Sequence, residues 1–184
     1  MESSVQLILS QTKPLRTLGA AIGLTFALAV SKVQAGLTEG VQAINKGDFS
    51  TALAQLKPLA EQGNADAQFN LGLMYFNGTG VPQDDQQALK WFRQAADQGD
   101  AFAQFALGNM YYMGRGVEKN FLASYALGNL AAANVPSYFT QPAQMRDSAA
   151  AQLTPKQIEA GQALTRKMQQ GAPLQALDQY LQGN

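Results

Sequence analysis

Hydrophobic residues in the centre of the chain recur at helical spacing. Ala67, Leu71 and Met74 follow one another at steps of three and four residues, which is the spacing of one face of an α-helix. The segment 77–82 (NGTGVP) interrupts this stripe, because its glycines tolerate positive φ and its proline favours a turn or a helix start. A second apolar stripe follows at the same helical spacing, with Asp84 or Asp85 as its cap. Its members are Ala88, Trp91, Phe92, Ala95 and Ala96. The pattern therefore predicts a helical hairpin.

This hairpin pattern occurs twice, with an offset of 36 residues. Residues 65–81 read ADAQFNLGLMYFNGTGV and residues 101–117 read AFAQFALGNMYYMGRGV, which are identical at 11 of 17 positions. A unit of this length cannot bury its apolar face alone, so such units stack into a solenoid with an extended binding surface. Projecting the period predicts a partial unit at 36–64, with its first helix between 37 and 46. Projecting it forward predicts a unit at 101–136 with a degenerate second helix.

Glycines within the apolar stripes predict that helices approach one another closely. Glycine in a helix interior costs about 1 kcal/mol relative to alanine, so its presence indicates a contact that excludes a side chain. We expect eight glycines and tyrosines to maintain the repeat. They are Gly72, Tyr75, Gly78 and Gly80 in one unit, and Gly108, Tyr111, Gly114 and Gly116 in the next.

The period is lost beyond Pro136, although helical patterns continue. Helices are predicted over 141–153, from a Thr154 cap to about residue 170, and over 174–181. We expect the segment 137–184 to cap the apolar end of the repeats. No strand-like alternation is present, so the predicted fold is all-α. It is an α/α superhelical solenoid of helix-turn-helix repeats with C-terminal capping helices.

The first 35 residues have the pattern of a cleaved signal peptide. Lys13 and Arg16 precede an apolar run of 14 residues, 17–30, whereas a transmembrane helix needs roughly 17–25. Cleavage after Ala35 would leave Gly36 as the new N-terminus. The alternative is an uncleaved membrane anchor. The segment predicts a periplasmic or secreted protein that contacts the membrane only through its signal peptide during export.

Composition excludes several kinds of chemistry. The 184 residues contain no cysteine and no histidine, which rules out thiol nucleophiles, thiolate metal sites and imidazole bases. The 13 basic and 13 acidic residues balance, whereas a nucleic-acid-binding protein usually has a clustered basic face. We predict no catalytic, cofactor-binding or metal-binding residues, and no nucleic-acid partner.

The repeated motif resembles the Sel1-like repeat (SLR) family, a subgroup of tetratricopeptide-like helical repeat proteins. The shared pattern is A-x-A-Q-x-x-L-G-x-x-Y-x-x-G-x-G-V, followed by D, A-x-x-W and A-A-x-x-G. Residues 65–100 match it nearly completely, and 101–136 depart from it at Ser124, Leu127 and Gly128. The resemblance implies a solenoid that mediates protein–protein contacts, in a family whose secreted and periplasmic bacterial members are common.

The resemblance also implies that the first helix of each unit lines a concave binding surface. Aromatic side chains there would be natural anchors for a partner. For Phe69 and Phe105, packing between helices explains the pattern equally well, and Asn77 and Asn109 also suit helix caps. The candidate partner-binding residues are Asp66, Phe69, Leu73, Phe76 and Asn77 on one helix, and Phe105, Asn109, Tyr112 and Met113 on the next, where Phe102 joins them.

The sequence thus predicts an exported, non-enzymatic scaffold that binds a protein or peptide in its concave groove. Two alternatives remain open. One is a cell-envelope hydrolase, which would use the carboxyl groups of Asp66, Glu61, Asp97 and Asp100 near the unit junctions. The other is an accessory subunit that docks permanently in a larger envelope complex.

Overall fold

The computed structural model describes residues 31–183, and every regular element in that range is an α-helix. The predicted all-α solenoid is confirmed. Residues 1–30, which hold most of the predicted signal segment, lie outside the described range. The helices are α1 (31–46), α2 (Phe49–Glu61), α3 (Ala65–Asn77), α4 (Asp85–Asp97), α5 (Ala101–Met113), α6 (Phe121–Asn134), α7 (Gln141–Ala150), α8 (Pro155–Gln169) and α9 (Pro173–Gln182).

Helices α1 to α6 form three consecutive hairpins, and from α2 to α6 each helix packs against the next. The first helix starts earlier than the sequence predicted, because α1 is already helical at residue 31 and not only from residue 37. The reason is that Val33 extends the apolar stripe of Leu37, Val41 and Ile44 by one turn. All four side chains belong to the same core cluster beside α2.

The two full units begin and end with equivalent caps. The side chains of Asn64 and Asp100 accept hydrogen bonds from the backbone N–H groups of Ala67 and Ala103, at 2.8 and 2.6 Å. These bonds satisfy N–H groups that the first helical turn leaves unpaired. At the other end, Gly78 and Gly114 adopt left-handed backbone conformations, with φ of 68° and 73°.

The buried glutamines of the repeat tie each unit to the preceding helix. Gln68 donates from its side-chain amide to the carbonyl oxygen of Ala60, at 3.1 Å, and Gln104 does the same to Ala96, at 3.3 Å. Both glutamines are buried, so these bonds replace water that the amides lose. The same bond therefore joins α2 to α3 and α4 to α5.

A second equivalent contact between units uses the last glycine of each loop. Gly80 packs against Phe49, the first residue of α2, so closely that a side chain at position 80 would collide with it. Gly116 stands in the same relation to Asp85, the first residue of α4, where an added Cβ would lie 2.7 Å from the carbonyl oxygen. These glycines are required by space as well as by their positive φ.

Gly72 and Gly108 are buried where helices meet, as the sequence predicted, but the two sites are filled differently. An added Cβ at Gly72 would lie 2.6 Å from the ring of Phe92 on α4. In the next unit the residue equivalent to Phe92 is Gly128, and Met145 of α7 fills the space against both Gly108 and Gly128. Gly128, where the second repeat departs from the motif, is therefore compensated by Met145 of α7, a helix that is not part of the repeats.

The three C-terminal helices pack against different helices of the repeats. Helix α7 packs on α5 and α6 and covers the end of the array, whereas α8 packs on α6 and α9 returns to α4. Arg93 of α4 pairs with both carboxylate oxygens of Asp178 in α9, at 2.6 Å each. Burial raises the pKa of the nearby Tyr111 phenol, and the positive charge of Arg93 opposes this rise. The C-terminal segment thus braces the second helices as well as capping the array.

Replacing Gly72 by valine should destabilise the protein. The new side chain would overlap Phe92, and overpacking of this kind costs roughly 1–3 kcal/mol. The free energy of unfolding in urea measures the effect. Gly171→Val is the matched control, because an added Cβ at Gly171 meets nothing within 4 Å. Equal free energies of unfolding for the two variants would contradict the predicted overlap between a side chain at position 72 and Phe92.

Replacing Met145 by alanine should destabilise the protein more than replacing it by leucine, which has nearly the same volume as methionine. Met145→Ala removes the atoms that lie against Gly108 and Gly128, and neither glycine has a side chain to close the space. We expect a loss of about 2–5 kcal/mol for alanine and less than about 1.5 kcal/mol for leucine. Urea denaturation of both variants checks this. A loss for alanine no larger than that for leucine would contradict the proposed filling role.

Candidate functional site

An apolar groove lies along the first helices of the two full units. Helices α3 and α5 form its walls, Phe92 of α4 lies beneath them, and Phe139 from the segment after α6 closes one side. The groove has a volume of about 260 Å³, and Asn109 is the polar side chain in its lining. The lining residues are Phe69, Leu73, Phe76, Phe92, Phe102, Phe105, Ala106, Asn109, Met113 and Phe139.

The aromatic rings of the groove form one connected series. Phe69 lies 6.0 Å from Phe92 and 6.0 Å from Phe102, measured between ring centroids. Phe139 meets Phe102 edge-on at 5.1 Å and Phe105 at 5.8 Å. These spacings lie within the range in which tilted aromatic pairs attract one another. The rings therefore hold each other in place before any partner arrives.

Part of this apolar surface is open to solvent. Phe102 is 41% exposed and Met113 is 44% exposed, which is high for side chains of this type. Phe69 and Phe105 are half-buried, so they pack between helices and line the groove at the same time. The packing between helices that the sequence considered for this pair is therefore present, and their role in binding a partner stays a prediction.

The structure brings seven of the ten predicted binding residues together in the groove and places three elsewhere. Asp66 is exposed in the first turn of α3, and Asn77 is the exposed last residue of that helix. Gly78 forms the cap there, so Asn77 does not. Tyr112 packs edge-on against Phe121 at the start of α6, at 5.4 Å. The seven that line the groove are Phe69, Leu73, Phe76, Phe102, Phe105, Asn109 and Met113.

Two aromatic residues of the groove were not among the binding residues predicted from the sequence. Phe92 fits the apolar stripe of α4 and was therefore assigned to the core, which it also belongs to. Phe139 lies in the non-repetitive segment between α6 and α7, where no period indicates which way a side chain points. Only the contact between Phe139 and the rings of α5 reveals its place.

Arg115 covers the end of the groove at Phe76. Its guanidinium lies 3.8 Å from the centroid of the Phe76 ring, a cation–π contact, and donates to the Phe76 carbonyl oxygen at 3.2 Å. The same group pairs with both carboxylate oxygens of Asp85. The residue equivalent to Arg115 in the preceding unit is Thr79, so this arrangement is particular to one junction. Arg115 fixes the Phe76 ring and neutralises Asp85.

A second cleft, larger and more polar than the groove, lies between α2, α4 and α9. It has a volume of about 920 Å³ and is lined mainly by amides and charged groups. Two of the four carboxylates considered for a hydrolase, Glu61 and Asp97, line this cleft. Asp97 accepts a hydrogen bond from the backbone N–H of Leu174, at 3.3 Å, which helps to fix the start of α9.

The other two carboxylates stand at the starts of α3 and α5. Burial raises the pKa of Asp100 above its usual range; the negative charge of Asp66 adds to this, while the backbone N–H of Ala103 opposes it. Since Asp100 caps α5, its carboxylate already has a structural role. Within residues 31–183, no three acidic side chains come close enough together to hold a metal ion. In the same range no helix combines the length and apolar character needed to cross a membrane.

Comparisons with known proteins agree with this architecture. The Sel1 repeat model matches residues 65–100 and 101–134. The crystal structure of c5321, a protective antigen of uropathogenic Escherichia coli strains with an SLR fold, aligns over 82% of this chain with 29% identity and a TM-score of 0.71. The aligned part is 32% of c5321, so this chain spans about a third of that protein's length.

A second solved structure, a Sel1 repeat protein from Oxalobacter formigenes, aligns over 70% of this chain and 98% of its own length. The sequence identity is 27% and the TM-score is 0.55. No curated protein matches the chain significantly. The repeat matches, the equivalent caps and the shared solenoid lead to one conclusion: residues 65–134 form two Sel1 repeats within a solenoid of the SLR type.

Proposed function

We propose that this protein is an exported scaffold that binds a protein or peptide partner in the groove between α3 and α5. Sel1 repeat proteins generally serve as scaffolds for protein–protein interactions, and the fold is typically non-enzymatic. The single observation that carries the proposal for this chain is the partly exposed aromatic groove. Its lining is almost entirely apolar, and solvent reaches Phe102 and Met113.

The size of the groove favours a side-chain anchor over a small-molecule ligand. Pockets that enclose small molecules usually measure about 300–1,000 Å³ and contain several converging polar groups. This groove has about 260 Å³ and one polar lining residue, Asn109. An apolar side chain of a partner protein would remove the exposed rings from water, and Asn109 would hydrogen-bond its backbone.

The groove is also organised in advance of binding. Phe92 holds Phe69 and Phe76 from below, with centroid distances of 6.0 and 6.2 Å, and Arg115 holds Phe76 from above. Side chains that are already ordered lose little entropy when a partner binds. The repeats thus provide a surface whose shape does not depend on the partner.

Export is proposed from the N-terminal sequence. The basic residues Lys13 and Arg16, the apolar run 17–30 and the small residue Ala35 have the order of a signal peptide. Fractionation of producing cells, with N-terminal sequencing of the recovered protein, tests this. A chain that starts at Gly36 outside the cytoplasm supports export, and a full-length cytoplasmic chain opposes it.

Charged substitutions in the exposed part of the groove should abolish partner capture without unfolding the protein. We expect Phe102→Glu combined with Met113→Glu to lose the partner, because a carboxylate in the groove would have to be desolvated. Crosslinked capture from cell-envelope extract, followed by mass spectrometry, measures the loss.

The matched control is Tyr138→Glu, since Tyr138 is 85% exposed and does not line the groove. All variants should first show the same thermal melting by circular dichroism. A partner that is captured equally by the groove variant and the control would exclude this groove as the binding site.

A further inference from the structure

The segment after α6 places an aromatic ring of this chain in the groove. Residues 135–140 form a short connecting turn between α6 and α7, with the sequence VPSYFT. The ring of Phe139 lies 5.1 Å from Phe102 and 5.8 Å from Phe105, at interplanar angles of 66° and 88°. In such T-shaped pairs the positive edge of one ring faces the negative face of the other. Phe102 and Phe105 thus form a site that already receives a phenylalanine side chain.

The connecting turn is attached to the groove by this ring and not by hydrogen bonds. The N–H of Phe139 donates to the carbonyl oxygen of Pro136, at 2.9 Å, and over residues 31–183 the other hydrogen bonds of the turn run to α6 and α7. Among the described residues, Phe139 belongs to neither hydrophobic core cluster. A segment with few buried contacts and no hydrogen bonds to its neighbours opens at a low cost in free energy. The Phe139 ring can therefore leave the groove without disturbing the repeats.

The ring of Phe139 fills the groove only in part. Phe102 stays exposed beside it, and a volume of about 260 Å³ remains open in the same lining. The connecting turn is short and is fixed at both ends by α6 and α7, so it limits how far Phe139 reaches. A side chain from another protein has no such limit. It can take the place of Phe139 and extend into the open volume as well.

We infer that the partner's anchor in this groove is an aromatic side chain, and that Phe139 is an intramolecular competitor which this anchor displaces from Phe102 and Phe105. The inference rests on the proposed function, because it specifies the residue that occupies the groove. An aliphatic side chain of equal size would gain the same burial without the edge-to-face attraction. Only an aromatic anchor recovers the contacts that are lost when Phe139 leaves. The competition thus favours aromatic partners over aliphatic ones.

The first test compares three fluorescent peptides that differ in one residue. The central residue is phenylalanine, cyclohexylalanine or alanine, and leucine and serine flank it on both sides. Cyclohexylalanine is the matched control, because it is apolar and similar in size to phenylalanine but has no aromatic ring. Fluorescence polarisation with the full chain gives the dissociation constants. We expect the phenylalanine peptide to bind about threefold or more tightly than the cyclohexylalanine peptide. Equal dissociation constants would overturn the preference for an aromatic anchor.

Removing the ring of Phe139 should tighten binding. A competitor that is seated in about 90% of the molecules weakens the apparent affinity about tenfold. We expect Phe139→Ala to bind the phenylalanine peptide about threefold or more tightly than the unmodified protein, with Phe139→Leu between the two. Tyr138→Ala is the control, since Tyr138 is exposed in the same turn and does not line the groove. Unchanged or weaker binding by Phe139→Ala would make Phe139 a fixed wall and overturn the competition.

Displacement of the ring can also be observed directly. A para-fluorophenylalanine label at position 139 alone reports its surroundings by fluorine NMR. At saturation with the phenylalanine peptide, we expect its resonance to move to the chemical shift measured for the unfolded chain. A resonance that keeps its position while the peptide binds would show that Phe139 stays seated, which contradicts the inference.

The outcomes separate this inference from the proposed function. If the phenylalanine and cyclohexylalanine peptides bind equally and Phe102→Glu with Met113→Glu abolishes both, the inference fails while the apolar groove stands. If no peptide binds the unmodified protein or Phe139→Ala, the inference and the proposed function both fail. Dimerisation of Phe139→Ala that Phe102→Glu prevents would make a second copy the occupant, and would also overturn the inference.

Discussion

The contact between Phe92 and Gly72 determines both how the helices of the unit pack and where the groove lies. The ring can approach α3 because Gly72 has no side chain, and this brings α3 and α4 to a short separation. The same ring then supports Phe69 and Phe76 from below. Core packing and binding surface therefore share one side chain, and a change at either residue of this contact would alter the groove as well as the stability.

The second unit reaches the same arrangement with different residues. Gly128 replaces the large ring, and Met145 enters from α7 to occupy the space against Gly108. Methionine suits this role because its flexible, polarisable side chain adapts to an irregular gap. The floor of the groove consequently has an aromatic ring under one unit and none under the next. The aromatic series continues there through Phe105 and Phe139, at the surface.

Local sequence patterns were sufficient to predict the helices and the repeat. Apolar spacing, the capping residues Asn64 and Asp100, and the turn glycines Gly78 and Gly114 act within a few residues of one another, so they can be identified without a structure. Most of the groove on α3 and α5 could be predicted for the same reason. Phe139 and Arg115 could not, because their roles depend on contacts with Phe102 and Phe76, at positions that the repeat does not constrain.

Different side chains fill the spaces beside Gly72 and Gly108, and this determines which repeat could be duplicated to lengthen the array. In a tandem copy of residues 65–100, the residue before the copy, Asn64 or Asp100, would cap its first helix. The copy would also contain Gly72 and the Phe92 ring that covers this glycine. A copy of residues 101–134 would bring Gly108 and Gly128 without Met145, and would leave an unfilled space wherever it was inserted. Lengthening by duplication is therefore compatible with the first full unit, whereas the second is a terminal element that functions only beside α7.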